Sequence, residues 1–189
     1  ATSSFDAGDA VLAHFGNRTF FPDLTDIVVT GHSGGGQYTL RYALSGRAFD
    51  SLPAGINIRF APMNPGSYQY VSTLRKTSTS VTTFETPTSC ASYDAWPYGL
   101  NSPVRYGQAT TVDQKRTRFQ NLTVRYLLGT ADNDPNGALV PHDCGAEAQG
   151  AHRLERGVTF YNHLWQYYSG SIPNMSVGYV TGVGHDGYQ

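Results

Sequence analysis

Three residues of this chain have the types that acyl-transfer chemistry requires, and each follows a short apolar segment. Ser33 lies in a Gly-His-Ser-Gly-Gly sequence, Asp132 follows Leu-Gly-Thr-Ala, and His185 follows Gly-Val-Gly. A serine hydroxyl is a weak nucleophile at neutral pH, and it needs a histidine base that a carboxylate orients. The sequence therefore predicts Ser33 as nucleophile, His185 as base and Asp132 as acid.

The residues around Ser33 predict a tight turn between a strand and a helix. An apolar run precedes the turn, and glycines lie two residues to either side of the serine, at Gly31 and Gly35. Glycines let neighbouring backbone approach without a clashing Cβ, so the serine can sit in a strained conformation at the tip of the turn. In this geometry the amide of Gly34 is expected to donate to an oxyanion.

Two of these assignments have competitors within the chain. Asp134 is an alternative acid, although its Asp-Asn-Asp-Pro-Asn-Gly surroundings also suit an ordinary turn. His32 is an alternative base, but its position next to Ser33 predicts a side chain that points away from the serine and packs near the acyl pocket.

The other histidines are expected to be structural or exposed. His142 is followed by Asp143 and Cys144, which could suggest a metal site, but no second cluster of ligands at suitable spacing supports one. We therefore expect no metal and no organic cofactor. The remaining histidines are predicted to lie on helices: His14, His152 and His163.

Alternating strand and helix patterns predict an α/β fold, with a mostly parallel sheet flanked by helices in a single domain over 1–189. The predicted strands are Asp26–Gly31, Ile56–Pro62, Val124–Gly129 and Val177–Thr181, and the predicted helices are Phe5–Phe15, Gly35–Ser45 and Gln149–Tyr168. The first strand is a continuous apolar run, which is typical of a strand buried on both faces.

Residues 66–120 lack clear periodicity and are rich in Tyr, Ser, Thr and Pro. A long irregular segment within a compact domain is often functional, so we expect a lid-like insertion. Its aromatic residues Tyr93, Trp96 and Tyr98 are candidate substrate-binding residues, and simple packing of the lid is an equally good interpretation.

Composition and sequons favour a secreted protein. The net charge of −1 argues against a nucleic-acid partner, and no apolar run is long enough to span a membrane. Two cysteines predict a Cys90–Cys144 disulfide, the alternative being two free thiols in a cytosolic enzyme. Three sequons are candidate glycosylation sites, at Asn17, Asn121 and Asn174.

Four motifs carry a resemblance to a known family. They are Phe-Pro-Asp-Leu at 21–24, Trp-Pro-Tyr-Gly-Leu at 96–100, Leu-Leu-Gly-Thr-Ala-Asp-Asn at 127–133 and Gly-Val-Gly-His-Asp-Gly at 182–187. The chain resembles the C-terminal part of an α/β-hydrolase, and more narrowly a group of secreted fungal hydrolase-like proteins. The resemblance implies the same roles for Ser33, Asp132 and His185.

That resemblance implies hydrolysis of a small-molecule or polymeric ester. The early strands of the fold, and the loop that carries the second oxyanion amide, have no counterpart before Ser33. We therefore expect a longer precursor that is processed at Ala1, with a companion polypeptide supplying the N-terminal half. A catalytically silent binding protein and a serine peptidase or amidase are the alternative functions.

Overall fold

The structure is a computed structural model that describes residues 2–186. Ala1, the predicted processing site, and Gly187, the last residue of the final histidine motif, lie outside the described residues. The elements are α1 (Ser4–Phe15), β1 (Asp26–His32), α2 (Gly34–Ser45), β2 (Asn57–Met63), β3 (Arg75–Thr77), β4 (Ser80–Glu85), α3 (Val112–Asn121), β5 (Thr123–Gly129), α4 (Cys144–Glu147), α5 (Arg153–Tyr167) and β6 (Met175–Val180).

The main sheet has four parallel strands in the order β1-β2-β5-β6, which confirms the predicted parallel sheet. Helices α2 and α5 pack against it. Because the strands are parallel, their carboxyl ends meet at one edge of the sheet. The segments that follow β1, β5 and β6 carry Ser33, Asp132 and His185 to this edge.

The two faces of the sheet are buried to different extents. Phe60, Val124 and Tyr126 point to one face and are at most 1% exposed, since α2 and α5 cover it. On the opposite face Val28 is 56% exposed, and Arg59 pairs there with Asp26 at 2.9 Å. The prediction that the first strand is buried on both faces is therefore wrong. Burial alternates along β1, and no described residue covers its outer face.

The segment 66–120 contains more regular structure than its sequence predicts. Strands β3 and β4 form a hairpin, and α3 occupies the end of the segment. Helix α3 buries few residues, among them Lys115 and Phe119, so it shows almost no apolar periodicity. Its local signal is a capping box, in which Thr111 and Gln114 bond each other's backbone amides.

Part of this segment belongs to the core of the domain. Tyr68, Tyr70 and Val71 have no exposed surface, and the ring of Tyr68 stacks on Phe160 of α5 at 4.8 Å. These contacts fix the start of the segment against the same helix that covers the sheet. An entirely separate lid would not show such burial.

The predicted disulfide is present. Cys90 and Cys144 are bonded, with their Cα atoms 5.7 Å apart, and the bond joins the insertion to the first residue of α4. Within residues 2–186, no helix has the length and apolar character needed to span a membrane.

Candidate active site

Ser33 occupies a strained turn between β1 and α2. Its φ is 55° and its ψ is −117°, a region that a residue with a side chain adopts at a cost of about 1–3 kcal/mol. Two backbone hydrogen bonds hold the turn. The Ser33 amide donates to the Met63 carbonyl at 2.9 Å, and the Ser33 carbonyl accepts from the Gln37 amide at 3.0 Å. The strained serine that the sequence predicts is thus tied to the end of the neighbouring strand.

Close backbone contacts explain two of the glycines near Ser33. A Cβ on Gly31 would lie 2.4 Å from the backbone of Gly35, and a Cβ on Gly36 would lie 2.6 Å from the Met63 carbonyl oxygen. The approach between Gly31 and Gly35 was expected from the sequence. The sequence does not predict the contact between Gly36 and Met63, because Gly36 lies in α2 and Met63 is the last residue of β2.

Ser33, His185 and Asp132 form one chain of hydrogen bonds. Ser33 Oγ lies 2.9 Å from His185 Nε2, and His185 Nδ1 lies 2.8 Å from Asp132 Oδ2. With the proton on Nδ1, the ring donates to the carboxylate and leaves Nε2 free to accept the serine proton. The arrangement can therefore activate a hydroxyl nucleophile.

The structure brings Asp132, and not Asp134, into contact with His185. Asp132 is 5% exposed, and its backbone is fixed at both ends, because its amide donates to Gly129 and its carbonyl accepts from Leu154. Asp134 is exposed and caps a turn by accepting from the Asn136 amide at 2.9 Å.

Asp132 has a second side-chain partner that sequence reasoning missed. Arg153 Nη1 lies 3.3 Å from Asp132 Oδ1, on the opposite side of the carboxylate from His185. The two residues are 21 positions apart, and Arg153 is the first residue of α5. No local sequence pattern marks such a contact.

His32 faces the ring of His185. The two ring centroids are 4.8 Å apart and the ring planes are inclined by 35°. Burial lowers the pKa of His32, and the neighbouring charge of His185 lowers it further. His32 therefore remains neutral beside the candidate base at neutral pH. Its predicted place near an acyl pocket stays a prediction.

The amide of Gly34 lies at the N-terminus of α2, where backbone N–H groups have no partner within the helix. Gly34 is exposed, and a Cβ built on it would meet no atom within 4 Å. The space beside its Cα is therefore open. An oxyanion that forms on a carbonyl attacked by Ser33 could accept a hydrogen bond here.

The aromatic residues of the insertion contact structural partners. Trp96 packs edge-on against Phe5 at 6.0 Å, and the Arg75 guanidinium lies 5.1 Å from the centroid of the Tyr93 ring. The Tyr98 hydroxyl donates to Asp143. These contacts account for the three residues as packing, and their role in substrate binding stays a prediction.

The remaining histidines lie apart from this chain of hydrogen bonds. His152 caps α5, His142 pairs with Glu147 at 3.6 Å, and His14 packs on neighbouring rings of the loop after α1. His163 is 2% exposed among aromatic residues, and burial lowers its pKa to about 3. Within residues 2–186, no group of three or more His, Cys, Asp or Glu side chains could hold a metal ion.

No family model and no curated protein sequence matches this chain. The solved structures that resemble it include the following two. Poly(aspartic acid) hydrolase-1 from Sphingomonas sp. KT-1 matches with a TM-score of 0.67 and 22% identity, over 96% of this chain and 58% of that one. The poly(3-hydroxybutyrate) depolymerase LpqC from Bordetella parapertussis matches with a TM-score of 0.67 and 24% identity, over 97% of this chain and 52% of that one.

The chain has the α/β-hydrolase fold. It spans little more than half the length of the two structures, 58% and 52%. In this fold a turn like that at Ser33, between a parallel strand and the next helix, is a nucleophile elbow. The narrower resemblance to secreted fungal proteins stays a prediction.

Proposed function

We propose that this protein is a serine hydrolase that cleaves carboxylic esters through an acyl-enzyme. The observation that carries the proposal is the continuous hydrogen-bonded chain from Ser33 through His185 to Asp132, at the carboxyl edge of a parallel sheet. The α/β-hydrolase fold supports it, because the three residues follow one another in the order that this fold uses.

The reaction begins with attack of Ser33 Oγ on the ester carbonyl, while His185 Nε2 takes the hydroxyl proton. Asp132 stabilises the imidazolium that forms, and the Gly34 amide donates to the oxyanion, which is worth about 3 kcal/mol for one donor. His185 then gives its proton to the leaving alcohol as the C–O bond breaks. Water, activated by the same histidine, attacks the acyl-enzyme and releases the acid.

A companion polypeptide segment completes the nucleophile end of the site in this proposal. Its support is the outer edge of β1, which pairs with no strand among residues 2–186, and the exposed sheet face beside it. Unpaired edges are protected in soluble proteins, and the two similar structures contain about as much chain again. The segment would also supply the second amide of the oxyanion hole.

The proposed substrate is a small-molecule or polymeric ester. Of the two similar structures, one is a poly(3-hydroxybutyrate) depolymerase, and poly(3-hydroxybutyrate) is a polyester. The other is a poly(aspartic acid) hydrolase, which acts on a polyamide, so amidase or peptidase activity is the second candidate. The same three residues perform both reactions, since only the leaving group differs.

We further propose that the protein is secreted. The Cys90–Cys144 disulfide supports this, because such bonds persist in oxidising compartments. The sequon residues Asn17, Asn121 and Asn174 are all exposed, which is what glycosylation requires.

A fluorophosphonate probe and a 4-nitrophenyl ester test the catalytic proposal on the natural protein together with any chain that accompanies it. We expect labelling and turnover in the parent, and loss of both in Ser33→Ala. Ser51→Ala, a change at an exposed serine elsewhere, serves as the matched control and keeps both. A parent that is neither labelled nor active would favour the binding protein, and cleavage of peptide amides without ester cleavage would favour the peptidase.

A further inference from the structure

We propose that Arg153 is a positioning residue for the triad, which holds Asp132 from the side opposite His185 and sets the pH at which His185 acts. The inference rests on the proposed function of the triad. Its basis is that the two oxygens of one buried carboxylate go to two different partners. Oδ2 lies 2.8 Å from His185 Nδ1, and Oδ1 lies 3.3 Å from Arg153 Nη1.

The ion pair is shielded from water. The Asp132 side chain is 5% exposed and that of Arg153 is 2% exposed. A carboxylate buried to this extent favours its protonated form unless a cation or hydrogen-bond donors compensate the charge. Arg153 places its guanidinium on Oδ1, which leaves Oδ2 to accept from His185.

Arg153 is itself held in place by the loop that carries Asp132. Its Nη2 donates to the Ala138 carbonyl at 2.6 Å, so the guanidinium bridges two points of the same loop. The next residue of α5, Leu154, donates its amide to the Asp132 carbonyl at 3.1 Å. The start of α5 thus fixes both the backbone and the carboxylate plane of Asp132.

A second buried arginine on α5 shows what a structural role looks like. Arg156 lies nearly one turn further along and has no exposed surface. Its guanidinium donates to three backbone carbonyls, those of Gly150, Gly66 and Pro141, and to no carboxylate. Removing either arginine should reduce stability, but only Arg153 touches the triad.

The electrostatic consequence concerns His185. The charged and titratable groups that contact its ring are Asp132 from the loop after β5 and His32 from the end of β1, with Arg153 behind Asp132. Asp186 is the next residue of the chain. A fixed positive charge behind the carboxylate opposes a second positive charge on the imidazole. Without the charge of Arg153, the His185 imidazole would keep its proton to a higher pH. It would then act as a base only above that higher pH.

The test compares Arg153→Gln, Arg153→Lys and Arg156→Met in the natural protein. We expect Arg153→Gln to lower kcat/KM by about 10- to 100-fold, through misplacement of Asp132 and His185. The acidic limb of its pH profile should move upward by about 1 pH unit. Arg153→Lys keeps the charge, so the limb should stay at its parental position with part of the rate restored. Arg156→Met should leave the limb unmoved even if thermal stability falls.

A second measurement separates this inference from the proposed function. The midpoint of the His185 imidazole titration, followed by NMR in a Ser33→Ala background, does not depend on turnover. We expect Arg153→Gln to raise this midpoint by about 1 pH unit, and Arg153→Met to do the same if the glutamine variant does not fold. An unchanged midpoint in the neutral variants, or an equal shift in Arg153→Lys, would overturn the role of Arg153. Loss of ester hydrolysis in the parent would instead overturn the proposed function.

Discussion

Asp132 lies beneath the start of α5 with 5% of its surface exposed, whereas Ser33 follows β1, a strand whose Val28 side chain is 56% exposed. The acid end of the site has its partners within this chain, including Arg153, His185 and the amide of Leu154. The nucleophile end has one candidate oxyanion amide, and among residues 2–186 the outer edge of β1 pairs with no strand. The difference shows that the contacts that orient the acid lie within residues 2–186, whereas the outer edge of β1, beside the nucleophile, is where the proposed companion segment would add contacts.

The largest effect should come from the acid end. Asp132→Asn keeps the shape of the side chain but removes the charge that stabilises the imidazolium, so we expect kcat to fall by about 10⁴-fold. Asp134→Asn is the matched control, because Asp134 is exposed and bonds only its own turn. Steady-state kinetics on a 4-nitrophenyl ester measures both. A larger loss of kcat in the Asp134 variant would show that Asp134, and not Asp132, is the acid of the triad.

Two glycines at the start of α2, Gly35 and Gly36, differ in how closely their surroundings pack, so their alanine variants compare an open with an enclosed position beside Ser33. A Cβ on Gly36 would press on the Met63 carbonyl at 2.6 Å, so Gly36→Ala should lower the free energy of unfolding by about 3 kcal/mol. Gly35→Ala adds the same methyl group one residue earlier, where a Cβ meets nothing within 4 Å, and should change stability by less than about 1 kcal/mol. Urea unfolding of the two variants tests this contrast. Equal losses of unfolding free energy in the two variants would show that the contact with Met63 does not determine the cost of a methyl group at Gly36.

The buried histidine of α5, His163, should make the stability of the protein depend on pH. Burial lowers the pKa of His163 to about 3, against about 6.5 when unfolded. The unfolded state therefore binds more protons below pH 6.5, and stability falls as the pH drops from there towards 3. Between pH 7 and 5 this one group should cost about 2 kcal/mol.

His163→Phe is the test of that pH dependence, since the ring lies among the aromatic residues Tyr70, Phe84 and Phe160. Phenylalanine cannot bind a proton, so the difference in unfolding free energy between pH 7 and pH 5 should shrink by about 2 kcal/mol. An unaltered pH dependence would mean that His163 binds its proton in the folded state.

The smallest expected difference concerns hydrogen exchange at the outer edge of β1. If a companion segment pairs with β1, the outward amides of this strand should be protected in the natural protein nearly as well as those of β5. We expect their hydrogen-exchange protection factors to differ by less than about tenfold. Fast exchange confined to β1 would contradict a paired edge and with it the companion segment.

Much of the site was predictable because its signals are local. The apolar runs and the glycines around Ser33 predict a strand, a turn and a helix, and parallel strands bring Asp132 and His185 to the same edge. The sequence favours Asp132 as the acid but leaves Asp134 open as an alternative, since both follow the same strand and the packing of the loop decides which one faces His185.

Features that depend on contacts between residues far apart in the chain could not be predicted from the sequence. Arg153 reaches Asp132 across 21 residues, and Gly36 meets Met63 of another strand. Helix α3 lacks apolar periodicity because Lys115 takes one of its buried positions, where it bonds the Gly107 carbonyl. The apolar run of β1 predicts burial on both faces, but among residues 2–186 nothing covers the outer face.

The disulfide has a consequence for how this molecule responds to proteases. Cys90 and Cys144 enclose the loop that carries Asp132, in which Leu139 is 88% exposed. A single cut at that loop divides the backbone, yet the two fragments remain one covalent molecule until the bond is reduced. Protease-treated samples should therefore run as intact chains on non-reducing gels, and the cleavage becomes visible only after reduction.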